Sequence, residues 1–226
     1  MEWKTIFMGD ITNSRGLPSP KKAQAELHTL VTSANKRHQS LIESPLTITL
    51  GDEFQGVIAG FNEALEILFA MEEQVLRTHP SFTLHYVIYV GRIDSKIARE
   101  RAHGMLGPGL TSAREILTSK KRDRPRYQFG TANEKMRRPR QGLTVPGQRE
   151  MKNMSRLFSV IASLQERWNP KDHPLIADMI HSTSDTELVN GTRGRKDRSQ
   201  IRKRRQTLLI EDYRALKELA LDLSHG

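Results

Sequence analysis

The chain contains no cysteine. Disulfide staples, thiol nucleophiles and zinc–thiolate fingers are therefore excluded. Aromatic residues are sparse at 6%, and apolar residues of all kinds reach only 36%. No apolar run approaches the roughly 20 residues that a helix needs to span a bilayer. The opening residues Glu2, Trp3 and Lys4 lead straight into a strand-like stretch, with neither a long apolar h-region nor a cleavage site. A soluble, cytoplasmic protein with no membrane partner is expected. Low hydrophobicity with a net charge of +10 would suit a disordered chain, but the apolar residues here fall in periodic blocks that suit packed elements.

That charge occupies one half of the chain. Residues 1–119 carry 12 Lys and Arg against 13 Asp and Glu, whereas residues 120–226 carry 24 against 13. The halves thus differ from −1 to +11, which points to two parts with different partners.

The first half alternates strands and helices. Trp3 to Met8 reads as a buried strand ended by Gly9-Asp10. Pro18 and Pro20 open a helix to about Leu41, with Ala23, Leu27, Leu30, Val31 and Ala34 at helical spacing. Leu46 to Leu50, the Gly51-Asp52 turn and Glu53 to Ile58 form a hairpin. A helix follows from Asn62, then the strand Phe82 to Val90, then a helix from about Leu110 to Ser119. Tyr127 and Phe129 fit a last edge strand. The expected fold is α+β: a ferredoxin-like, mostly antiparallel sheet over residues 1–130, with helices on one face. A basic linker over 131–146 is expected next. An all-α domain over 147–226 then has helices at 151–168, 175–180, 184–190, 197–208 and from 212, the last with Leu216, Leu219 and Leu223 inward.

Two turns carry candidate chemistry. The first is Gly9-Asp10-Ile11-Thr12-Asn13-Ser14-Arg15 and the second is Gly51-Asp52-Glu53-Phe54-Gln55-Gly56. In a ferredoxin-like sheet, Asp10 and Asp52 share one sheet end. Two neighbouring carboxylates repel, so either one takes a proton or a divalent cation holds both. Mg²⁺ or Mn²⁺ suits such a hard-oxygen site, commonly with substrate phosphate as a further ligand. Against this stands the plain turn, since Asp is common where strands end. Strand alternation points Glu53 to solvent. His85 reads as a core or face histidine.

The blocks DITNSRG, TLGDEFQG, LHYVIYVGRI and LGPGLTSAREIL resemble the SatD family in order and spacing. They are also similar to a degenerate class III nucleotidyl cyclase domain. That resemblance implies that Asp10 and Asp52 bind metal with the Ile11 carbonyl, that Arg114 binds phosphate, and that the protein is a homodimer. The base-reading lysine position of such cyclases is Ile48 here, and the asparagine position is Leu110. Metal positions persist while base-reading and transition-state positions do not. This argues against cyclase turnover and leaves binding of a nucleotide or another phosphorylated ligand.

The second half holds RGRKDRSQIRKRR, with Arg193, Arg195, Lys196, Arg198, Arg202, Lys203, Arg204 and Arg205 against one acid, Asp197. Such a run repels itself unless an anion is near. Its setting resembles a helix-turn-helix, with Asp185 to Asn190 as first helix, Asn190-Gly191 in the turn and Arg198 to Gln206 as recognition helix. Relatives in the SatD family commonly end in such a module. By that resemblance Ser199 and Gln200 lie where base edges are read, and Ile201 packs inward. Gln pairs with adenine and Arg with guanine. The glycine-rich turn is longer than usual, so a basic arm gripping phosphate without reading sequence stays open, as does RNA. Six phosphate contacts would cost roughly 10³-fold in affinity between 50 and 200 mM salt.

Three functions compete at this point. One is a DNA-binding regulator with a metal- or nucleotide-binding sensor domain. The second is a divalent-metal-dependent nucleotidyl cyclase or other nucleotide-processing enzyme. The third is a nucleic-acid-associated partner with a vestigial acidic pair. The first is the reading carried forward.

Overall fold

The computed structural model describes residues 2–119, 125–133, 145–182, 184, 188 and 198–225. Five strands form one sheet: β1 (Glu2–Ile11), β2 (Ile42–Ile48), β3 (Glu53–Ile58), β4 (Leu84–Ile93) and β5 (Tyr127–Thr131). Their order is β2-β3-β1-β4-β5. The β1·β3, β1·β4 and β2·β3 pairs are antiparallel, and β5 adds parallel to β4. With α1 (Pro20–Arg37) after β1 and α2 (Phe61–Thr78) after β3, this is the ferredoxin-like arrangement, extended by one edge strand.

Both faces of the sheet are covered, not one. Phe7, Ile11, Phe54, Ile58, Tyr86 and Ile88 pack towards α1 and α2. Ile6, Met8, Val57, Val87, Tyr89 and Ile93 pack on the opposite side with Ala102, Met105, Ala113 and Leu117. Those last four residues come from the 94–106 crossing and from α3 (Pro108–Thr118). The reason is visible in the strands. Ile6 to Met8 and Tyr86 to Val90 are continuous apolar runs, which are stable only when buried on both sides. The crossing also covers the β2 edge, where Pro45 and register shifts interrupt the ladder. There Ala102 N donates to Thr47 Oγ1 at 2.9 Å, and Ser44 Oγ donates to the Ala98 carbonyl.

The second half contains α4 (Gln148–Gln165), a 3-10 turn (Pro170–Asp172), α5 (His173–His181), α6 (Arg198–Thr207) and α7 (Ile210–His225). It shares one apolar cluster with the sheet, running from Phe7 through Phe158 to Tyr213. Two consecutive acids of α2 fasten it. Glu72 is 2% exposed and Glu73 6%. Glu72 accepts from Arg126 Nη2 (2.8 Å), Tyr127 Oη (2.6 Å) and Gln165 Nε2 (3.4 Å). Glu73 meets Lys217 Nζ at 2.5 Å and His181 Nε2 at 3.0 Å. Bringing Lys217 onto Glu73 sets the roll of α7. Tyr213 and Ala220 are buried, whereas Leu219 (46%) and Leu223 (50%) lie at the surface, contrary to the expected inward stripe. Trp168 is core, and its Nε1 donates to the Leu208 carbonyl at 2.8 Å.

The α3 helix lies directly on the β4 backbone. A Cβ on Gly109 would stand 2.8 Å from the Gly91 carbonyl carbon. Gly109→Val must therefore lift α3, and the expected cost is about 1–3 kcal/mol. Urea unfolding should show a lower midpoint with an unchanged m-value.

Candidate functional site

Asp10 and Asp52 do share a sheet end. Asp10 is the penultimate residue of β1, with Glu53 and His85 as its cross-strand partners. Asp52 precedes β3, and its carbonyl accepts from Ile11 N at 2.8 Å. Its carboxylate Oδ2 accepts from Ser14 Oγ at 2.6 Å, which ties the hairpin turn to the loop after β1. The left-handed Gly51 (φ 85°) makes that turn. Among the described residues, no three His, Asp or Glu side chains group as a metal cage. Mg²⁺ commonly needs no such cage, since it binds through one or two carboxylates plus outside ligands.

Glu53 differs from its expected solvent position. It is 6% exposed and faces α3, because that side of the sheet is covered too. Thr49 Oγ1 donates to it at 2.6 Å, and Arg114 Nη1 lies 2.7 Å from the same Oε1. Arg114 Nη2 also donates to Gln55 Oε1 at 3.2 Å. Arg114 thus sits next to the Asp10–Asp52 end, but its guanidinium neutralises a buried carboxylate of its own chain. A phosphate reaching Arg114 has to compete with Glu53. His85 is half-buried on the same face.

The basic helix α6 is docked. Ile201 and Arg205 are buried. Arg204 pairs with Asp172. Arg205 pairs with Glu211 at 3.0 Å and donates to the Ser182 carbonyl. These two arginines are structural contacts here, because each meets a partner within the fold. Arg198, Ser199, Gln200, Arg202 and Lys203 are exposed. Arg193, Arg195 and Lys196 lie outside the described residues, as do Asn190-Gly191 and all of the expected first helix except Leu188, which is helical and buried. A tight turn at Leu208-Leu209, with Leu209 at φ 54°, joins α6 to α7.

Sequence reasoning missed the buried polar cluster around Glu72. Burial is the largest single influence and opposes the Arg126 charge, but the Glu72 carboxylate together with Tyr127, Tyr86 and Tyr213 holds the guanidinium pKa above its ordinary value. Burial raises the Tyr86 and Tyr127 hydroxyls well above theirs, with Glu72 adding to the effect. His173 rests edge-to-face on His79, with ring centroids 5.1 Å apart. Burial first, and then the His79 charge, lower its pKa. The adjacent pair Glu72-Glu73 in an otherwise apolar helix face was the available signal.

The architecture is that of an α+β protein whose ferredoxin-like sheet carries a packed helical extension with an exposed basic helix. The chain belongs to the SatD family, whose model matches residues 5–190. No curated protein matches it. Solved structures with some likeness include the catalytic core of a rhodopsin-guanylyl cyclase with converted specificity in complex with ATPalphaS. That likeness has 19% identity over 53% of this chain and 73% of the other, with a TM-score of 0.40. A bacterial light-regulated adenylyl cyclase gives 17% identity over 56% and 74%, with a TM-score of 0.40. The guanylate cyclase domain of RhGC from Catenaria anguillulae in complex with GTP gives 19% over 53% and 74%, with a TM-score of 0.39. No helix among the described residues is long and apolar enough to cross a membrane.

Two measurements follow from these pairs. Arg114→Met strands Glu53 in a covered position. Because Arg114 is itself partly exposed, the expected loss is about 1–3 kcal/mol, below that of a fully buried pair. Adding Glu53→Gln should recover most of it in a denaturant double-mutant cycle. For His173, the folded pKa lies below the ordinary 6.5, so the unfolded chain takes up the proton first as pH falls. Stability should therefore drop as pH falls through 6.5 and level off below the folded pKa. Thermal melts of His173→Asn should show a shallower acid loss, with His38, also lowered by burial, contributing the remainder.

Proposed function

We propose that this SatD-family protein is a nucleic-acid-binding regulator that contacts DNA through α6, with the sheet domain as its sensor. The observation that carries the reading is the way α6 is held. Ile201, Arg204 and Arg205 anchor it to the Asp172 turn, Ser182 and Glu211, which turns Arg198, Ser199, Gln200, Arg202 and Lys203 outward. A helix fixed in rotation with its first residues exposed suits groove reading better than a loose basic arm does. Residues 147–226 form the nucleic-acid-binding part in this reading, 1–130 the sensor, and 131–146 the connection. Two copies in a homodimer would suit a two-fold site.

In the same proposal Asp10 and Asp52 hold Mg²⁺ or Mn²⁺, which would supply charge for a phosphate-bearing ligand such as a nucleotide. Ser14 orients the Asp52 carboxylate, and the Ile11 backbone fixes the turn that carries it. Turnover is not part of the proposal, because Arg114 is engaged by Glu53.

The test is the salt dependence of binding to a labelled duplex, read by fluorescence anisotropy. Three exposed cations on α6 should account for about 40-fold of the affinity lost between 50 and 200 mM salt. The triple variant R198A/R202A/K203A should flatten the log–log slope by about 2.7. An unchanged slope would remove α6 from the interface. Equal binding to every sequence would leave phosphate gripping alone.

A further inference from the structure

A separate cavity of roughly 450 Å³ lies between the sheet and the helical extension. It opens beside the loop that follows Asp10 and Ile11 of β1, and is closed by α2, the 79–83 loop and the start of α5. Its volume falls in the range of small-molecule pockets. Nothing in the nucleic-acid reading uses it.

The cavity is two-sided in character. Leu17, Val75, Leu76 and Phe82 supply apolar wall, while Arg126 and His173 stand among its polar groups. Glu72 is the sole acid among the described lining residues, and its charge is already met by Arg126, Tyr127 and Gln165. Arg126, in contrast, is not used up by Glu72. Its described bonds to that carboxylate run through Nη2, and its buried Nε has no hydrogen-bond partner among the described residues. Buried donors in native proteins are seldom left so. A planar guanidinium in the lining of a largely apolar cavity matches a carboxylate or similar anion attached to an apolar body.

We propose that this cavity is a binding site for a small molecule with an apolar body and one anionic group, the anion facing Arg126. The cavity wall is shared by both halves of the chain. Pro170 and His173 line it, and Asp172 between them holds Arg204 of α6.

The test uses the intact chain without nucleic acid, so its outcome is independent of the α6 assay. The ring resonances of His79 and His173 are followed by NMR during titration with 3-phenylpropionate, with its neutral match 3-phenylpropanol, and with inorganic phosphate. Saturable shifts with the carboxylate are expected, with the alcohol binding about 10- to 100-fold more weakly, as loss of a charge-assisted bond requires. Leu17→Trp should weaken binding by filling the cavity from a loop while leaving Glu72 and Arg126 in place. Arg126→Gln should bring the carboxylate down to the affinity of the alcohol. Equal affinity of carboxylate and alcohol, phosphate alone binding as well as the carboxylate, or shifts with no saturation would each overturn the proposal.

Discussion

Two carboxylates side by side on α2 cannot be taken out of water without cations to meet them. Stripping an ion of its hydration costs several kcal/mol even after relaxation. Glu72 and Glu73 point from adjacent positions of one helix, so their partners come from different elements. Arg126, Tyr127 and Gln165 answer the first, and Lys217 and His181 the second. These contacts bring the β5 edge and the end of α4 against α2 on one side, and α5 and α7 on the other. The apolar cluster from Phe129 and Phe158 to Tyr213 fills the space they define.

The position of the basic helix follows from that arrangement. Once α5 and α7 are seated, Asp172, Ser182 and Glu211 stand where Arg204 and Arg205 reach them. Guanidinium groups that would repel one another are then divided between two environments. One set closes ion pairs within the fold, and the other projects from it. Rotation of α6 about its axis is fixed by Ile201 together with these pairs, and this gives the exposed set a defined direction.

The strands and the hairpin were legible because their signals are local. Gly51-Asp52 between apolar blocks specifies a turn, and the blocks of β1 and β4 specify strands. Their unbroken apolar runs also implied cover on both faces, a consequence the one-face expectation did not draw. The same omission misplaced Glu53, since alternation leads to solvent only where a face is open. In α6, Ile201 and Arg205 share one helical stripe, in line with buried Leu208 just beyond the helix, which marks Arg205 as inward. Arg204 could not be placed that way, because its partner Asp172 is 32 positions distant in sequence. The roll of α7 was hidden for the same reason: Lys217 meets a carboxylate 144 positions away.

Groove reading by α6 requires a helix that is seated before any nucleic acid arrives. Amide hydrogen exchange of the free protein, resolved at residues 201–208, measures this directly. Protection comparable to that of α5 and α7 is the predicted result. Exchange at the rate of an unstructured chain, with protection appearing only on addition of DNA, would contradict it.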